Sequence, residues 1–187
     1  KLTDFFIMKL FKYEGYKITV EPEALLLKPF KALWKRDRSL TKEKAMMELG
    51  FIYFFCDVRS DYQYIVDPED RMREIKLGEG LPEDWEPDKL VKEAIDFYNS
   101  FKSSSILLLE DTRVAVNRFR EMLNEIDFKE VDDKGKPIYP MNTVLATIKQ
   151  VPELVKSLDE AERSIAAEIA QSDKVRGAQT KSVYEDL

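Results

Sequence analysis

The sequence predicts a mainly α protein: a helical bundle with an N-terminal β-hairpin, a second small β-hairpin near 128–139 and a C-terminal arm. Three observations predict it. Apolar residues recur at helical spacing through most of the chain, notably Ala45, Met46, Leu49, Ile52, Tyr53 and Cys56. Two turn signals, Tyr13-Glu14-Gly15-Tyr16 and Asp132-Asp133-Lys134-Gly135, separate short runs of strand-forming residues. Past Ser172 the apolar period fades, so 1–172 reads as a single mainly helical domain and 173–187 as a tail or arm.

In chain order, the apolar and aromatic run Phe5 to Phe11 and the alternating run Lys17 to Val20 pair as the first hairpin. Pro22 suits the first turn of a helix, where its missing N–H costs nothing, and Pro29 kinks or restarts that helix before it ends near Asp37. Thr41 is the expected N-cap of a long helix to about Val58. Apolar residues cover several of its faces, Phe51, Phe54 and Phe55 widening the stripe, so it belongs at the centre of the core. Asp67-Pro68-Glu69 signals a cap and first turn, and the short helix after it ends at Gly78.

A loop with Trp85 follows; in a loop an aromatic either plugs the core or docks a partner. The next helix starts from Asp88 and carries Leu90, Val91, Ala94, Ile95, Tyr98 and Phe101. Lys102-Ser103-Ser104-Ser105 interrupts it, as a loop or as a polar turn in a bent helix, and a further helix gives way near Asp127. The hairpin at 128–139 needs a surface to lie on, either the first hairpin or a neighbouring subunit. The last helical region runs from about Met141 to Ala170, punctuated by Pro152.

The chain has no histidine, which removes the commonest general base, the usual catalytic triads and most zinc-enzyme sites. Carboxylate-only catalysis is the remaining enzymatic route. The densest acidic groups, Asp67, Glu69 and Asp70 and then Glu83, Asp84, Glu86 and Asp88, precede or open helices, where the macrodipole alone favours them. Asp132 and Asp133 lack the spaced oxygen ligands of a calcium loop. Ser39-Leu40-Thr41-Lys42 matches Ser-x-x-Lys without its companion motifs, and Gly78-Glu79-Gly80 lacks the third glycine of a dinucleotide loop. No enzyme activity, metal or cofactor is expected. Cys56, the only cysteine, sits in an apolar run as a core thiol. No apolar stretch is long enough to span a bilayer and no signal pattern opens the chain, so no membrane contact is expected.

Binding surfaces are the better reading. Lys28 to Lys44 holds seven basic and two acidic residues, and Lys28, Lys31, Lys35 and Arg38 fall at helical spacing, a stripe suited to phosphates or an acidic protein face. Glu83 to Asp96 holds six acidic and two basic residues, and opposite patches on one chain let identical subunits meet head to tail. The net charge of −6 speaks against general nucleic-acid binding, while a local basic face keeps a nucleic-acid-binding or regulatory role open. Phe5, Phe6, Phe11, Tyr13 and Tyr16 crowd the first hairpin, and docking on another subunit or burial under the chain's own helices would each cover them. Trp85, and Lys174, Arg176 and Tyr184 in the tail, complete the partner-binding candidates.

Five stretches carry a resemblance: ITVEPEALLLKPFKALWKRD (Ile18 to Asp37), KAMMELGFIYFFCDVRSDY (Lys44 to Tyr62), WEPDKLVKEAIDFY (Trp85 to Tyr98), DFKEVDDKGKPIY (Asp127 to Tyr139) and LVKSLDEAE (Leu154 to Glu162). Together they make the chain resemble small virion structural proteins of tailed bacteriophages, in particular head-to-tail connector proteins of crAss-like phages. The resemblance implies a portal-adaptor or neck ring protein: a homo-oligomeric ring of about a dozen copies, bound to the portal and to neighbouring neck or tail proteins, with possible DNA contact in the lumen. It places the chain in the virion, assembled in the host cytoplasm. A head-decoration, cargo or tail-ring protein has the same texture.

Overall fold

A computed structural model of the chain describes residues 10–15 and 17–181, without side chains at Glu14 and beyond Ala170. The fold is mainly helical, with one antiparallel two-stranded hairpin. The chain divides into two compact units, Lys1–Ser103 and Ser104–Leu187. The division falls inside the polar stretch 102–105, which offers nothing to bury between two helices. At 172–173, where the sequence places the start of an arm, the helical backbone continues without a break.

In the first unit, strand β1 (Phe11–Glu14) pairs with β2 (Lys17–Val20), Phe11 opposite Val20 and Tyr13 opposite Ile18. Gly15 takes the left-handed φ of +57° that the tight connection requires. The first strand thus lies later than Phe5 to Phe11; Phe5, Phe6 and Tyr16 are outside the described residues. Pro22 opens a 3-10 turn at Ala24–Leu26 in place of a full helix, and helix α1 (Lys28–Arg36) restarts with Pro29 in its first turn.

Helix α2 (Glu43–Cys56) buries residues on every face, among them Leu49, Phe51, Ile52 and Phe54, as befits a helix that is apolar all round. Its start differs from the sequence expectation. Thr41 is exposed, and Lys42 occupies the cap position with a left-handed φ of 56° and no side-chain cap bond. The buried Asp37 takes over the capping role from eight residues upstream, accepting the Ala45 N–H at 3.0 Å and the Ser39 N–H at 2.9 Å. These hydrogen bonds, the Ser39 side chain's first, draw its carboxyl down to about 2.

Asp67 caps helix α3 (Pro68–Gly78) by accepting the Glu69 and Asp70 N–H groups, each at 2.9 Å. Gly80, at φ +67°, lets the chain reverse so that the Leu81 N–H reaches the Lys76 carbonyl at 2.9 Å and Leu81 turns into the core. Asp88 caps helix α4 (Lys89–Asn99), which buries Val91, Ala94 and Tyr98.

The second unit is two helices, α5 (Ser104–Glu125) and α6 (Met141–Lys181). Arg113 meets Glu162 at 2.7 Å across their seam. The connection between them folds back on itself, so it is too short to return to the start of α5, and the helices run antiparallel. The expected second hairpin is reduced to a turn closed by one bridge, Val131 to Pro137. Asp132 holds that turn by accepting the N–H groups of Lys134 and Lys136, both at 2.8 Å. Every residue from Asp127 to Pro140 is exposed, and Pro137 has no N–H to extend a ladder, so two full strands do not form. Pro152 lies inside α6. Among the described residues no helix is long and apolar enough to cross a membrane.

Candidate interaction surfaces

The described aromatics of the first hairpin turn inward. Phe11 is buried, edge-on to Phe30 at 5.7 Å and stacked on Tyr98 at 6.1 Å, and Tyr13 packs on Phe54 at 5.4 Å. Both belong to the chain's own core. Trp85 does likewise, its ring 4.7 Å from that of Phe51, so the loop aromatic plugs the core.

The basic segment splits in two. Lys28, Lys31 and Lys35 are exposed on α1, and Arg38 is exposed but lies past the helix end at Arg36, so the expected four-residue stripe has three helical members. Arg36 points the other way, bridging the buried Glu48 at 2.7 Å and the capping carboxylate of Asp88. Burial opposes the charge on Arg36, but hydrogen bonds to Glu48 and Asp88 outweigh it and raise its affinity for the proton. Lys76 pairs with Glu86 at 2.6 Å. Part of the opposition between the basic and acidic segments is therefore satisfied within one chain.

A polar group that local sequence reading misses lies under α4. Asp57 is buried, takes the Arg59 Nε–H at 2.8 Å and accepts the Tyr98 hydroxyl at 2.6 Å. Burial alone would raise the Asp57 carboxyl; the hydrogen bonds and charge of Arg59, helped by Tyr98, hold it below the usual range, while burial beside Asp57 pushes the Tyr98 hydroxyl well up. Asp57 and Tyr98 are 41 residues apart, so nothing in the local pattern announces the contact.

The acidic clusters weighed as a carboxylate site sit where helices start: Asp67 and Asp88 each use one carboxylate oxygen as a cap, and the other oxygen of Asp88 holds Arg36. Among the described residues, no three of the metal-binding types come together. An open groove of about 730 Å³ runs between α3 and the loop after it, floored by Met72 and Leu81, with Leu77 exposed on its wall.

Among the described residues, a long run of exposed apolar side chains lies in the second unit. Along α6, Met141, Val144, Ile148, Val151, Val155, Leu158, Glu162, Ile165 and Ile169 recur at alternating steps of three and four, a heptad pattern. One line of it is closed or half-closed: Val144 and Ile165 are buried, Val151 and Leu158 half-buried. The neighbouring line is open, with Met141 54%, Leu145 47%, Ile148 44% and Val155 53% exposed. A second exposed row, Leu108, Ala115 and Met122, runs along α5 at intervals of seven. The three-four spacing was present in the sequence; which of its lines stays bare depends on where α5 packs. Lys174 and Arg176 lie on the helical backbone of α6, and Tyr184 is outside the described residues.

The fold and these surfaces define a helical protein whose second unit is an antiparallel helical hairpin with one bare flank. No protein-family model, no curated protein and no solved structure matches the chain.

Proposed function

We propose that this chain is a structural assembly subunit that works through protein–protein contacts, with the α5–α6 hairpin as its contact arm. The observation that carries the reading is the open line Met141, Leu145, Ile148 and Val155. Full burial of such a side chain stabilises by about 1.5–3 kcal/mol. With each about half exposed, roughly 3–6 kcal/mol of apolar burial is left for a partner to complete. Apolar rows of this kind on a folded chain mark interaction sites.

The resemblance to head-to-tail connectors supplies the setting: a portal-adaptor or neck ring protein of a tailed-phage virion. Mixing the purified full chain with the portal and neighbouring neck proteins of its own phage, followed by mass photometry and electron microscopy, tests both parts. Rings or mixed complexes are expected. A chain that stays monomeric and ignores every virion component overturns the proposal, and binding to head or tail-tube components alone moves it to another virion position.

A second reading, nucleic-acid binding, rests on Lys28, Lys31 and Lys35, exposed and without an ion pair among the described residues. It requires duplex binding that weakens steeply with salt and is abolished by Lys31→Glu with Lys35→Glu.

A further inference from the structure

We infer that the groove beside α3 receives the loop between α1 and α2 of a second copy of this chain, with Leu40 of that copy entering the groove and its Arg38 meeting the acidic rim. This contact rests on the assembly reading and adds to it a docking surface on the first unit.

The loop is held from within. The Asp37 carboxylate accepts the N–H groups of Ser39 and Ala45, and the Ser39 hydroxyl accepts the Lys42 N–H at 3.0 Å. The Lys42 ammonium donates to the Asp37 carbonyl and lies 5.9 Å from the centre of the Trp34 ring. Out of this bonded loop Leu40 stands fully in water, flanked by the exposed Arg38 and Thr41. An apolar side chain on an already ordered loop loses little freedom when a partner covers it.

The socket is the groove of about 730 Å³, with Met72 and Leu81 on its floor and Leu77, 78% exposed, on its wall. Leu40 is not part of its lining, so within one copy both the apolar side chain and the apolar groove are uncovered.

Charge selects the occupant. Of the two cations that line the groove, Lys76 is taken by Glu86 at 2.6 Å and Arg73 by Asp70 at 2.7 Å. Glu69 and Glu83 remain on the rim, exposed and without an ion pair among the described residues. A groove with an apolar floor and two unpaired carboxylates fits an apolar side chain that has a cation beside it. The large apolar side chains of the first unit that stand mostly in water are, among the described residues, Leu26, Leu40, Tyr64 and Leu77. Leu77 belongs to the groove itself, Leu26 has Glu23 as well as Lys28 beside it, and Tyr64 lies between Asp61 and Asp67. Leu40 has Arg38 two residues before it and Lys35 at the end of α1, both exposed and unpaired among the described residues. The stem of Arg38 can cover Leu77 while its guanidinium forks onto a rim carboxylate. Loop and groove are different surfaces of one chain, so every copy offers both, and copies joined this way stand head to tail, the arrangement that closes into a ring.

Disulfide formation between two singly substituted full chains tests the contact, since Cys56 is buried. Thr41→Cys places a thiol next to Leu40, and Arg73→Cys places one on the groove. Mixed under mild oxidation, these chains should link at least about 10-fold faster than Thr41→Cys with Leu26→Cys, because docking raises the effective concentration of one thiol near the other. Adding Leu40→Asp to the Thr41→Cys chain should slow linkage by roughly 30-fold. Arg38→Glu in that chain should also slow it, and Glu69→Lys with Glu83→Lys in the Arg73→Cys chain should restore the rate. All these positions are exposed, and unchanged circular dichroism shows that the variants are folded. Equal linkage at Arg73→Cys and Leu26→Cys, or linkage that ignores both Leu40→Asp and the charge exchange, overturns the inference. If such a chain still forms rings or joins a portal or neck protein, the assembly reading stands and its contacts lie elsewhere.

Discussion

Helix α2, with 14 residues, buries nine of them, whereas α6, with 41 residues, buries only Val144 and Ile165 among its described side chains. The two helices differ in composition, with 10 of 14 residues apolar in α2 against 17 of 41 in α6, and in surroundings. Around α2 the chain wraps the hairpin, α1, α3, α4 and Trp85, and aromatic rings fill the gaps, so a short helix becomes the centre of a core. Along α6 the second unit provides one neighbour, which closes one line of a stripe wider than a single helix covers. A unit with a finished core is a scaffold. A unit with half of one leaves a line of apolar side chains half in water.

The largest expected contrast comes from truncating one apolar side chain in each unit. Phe51→Ala should destabilise the first unit by about 3–5 kcal/mol, through lost burial and the cavity left beside Phe55 and Trp85. Ile148→Ala should change the stability of the unassociated chain by less than about 1 kcal/mol, because its side chain is already half in water. Both tryptophans, Trp34 and Trp85, lie in the first unit. Urea titration followed by tryptophan fluorescence therefore reads that unit, and circular dichroism reads both. A large loss at Ile148 in monomeric chain would break the comparison.

Next in size is the buried polar group. Tyr98→Phe removes the hydroxyl from Asp57 and should cost about 1–3 kcal/mol. The ion pair in the seam of the second unit, Arg113 to Glu162, is partly exposed. A double-mutant cycle to alanine should return only about 0.5–1 kcal/mol of coupling.

Acid separates the units more gently. Asp37 and Asp57 both hold their protons less tightly in the folded chain than in the unfolded one. Their stabilising effect is complete above the unfolded carboxyl value near 3.8 and fades as pH falls toward the folded value, about 2 for Asp37. Tryptophan-detected stability should decline across that window, and Asp37→Asn should flatten the decline. An unchanged slope in Asp37→Asn would remove Asp37 from the acid response.

What the sequence made legible was local. Asp67 as a cap, the start of α4 at Asp88, Pro29 as a restart, the end of α3 at Gly78 and the central place of α2 all follow from neighbours within a turn or from apolar period. The misses depend on residues far apart or on what lies nearby in space. Thr41 lost the cap to Asp37, whose carboxylate reaches over an intervening loop. Arg38 fell outside the basic stripe because α1 ends at Arg36, and Arg36 itself turned to Glu48 and Asp88. The turn at 132–135 formed without its strands because no surface lies under it. The bare flank of α6 escaped notice because a heptad states that a helix wants company, not how much of that company its own chain supplies.

Pro152 gives the long helix a mechanical property. Its ring has no N–H to offer the carbonyl of Ile148, so one rung of the hydrogen-bond ladder is missing about a quarter of the way along α6. From there to Lys181 the helix extends about 43 Å. A change of about 10° at the proline moves the far end by roughly 7 Å, within the range of ordinary proline bends. Helix α6 is thus a lever with its fulcrum within the open line: a small adjustment at Pro152 becomes a large displacement where the helix ends.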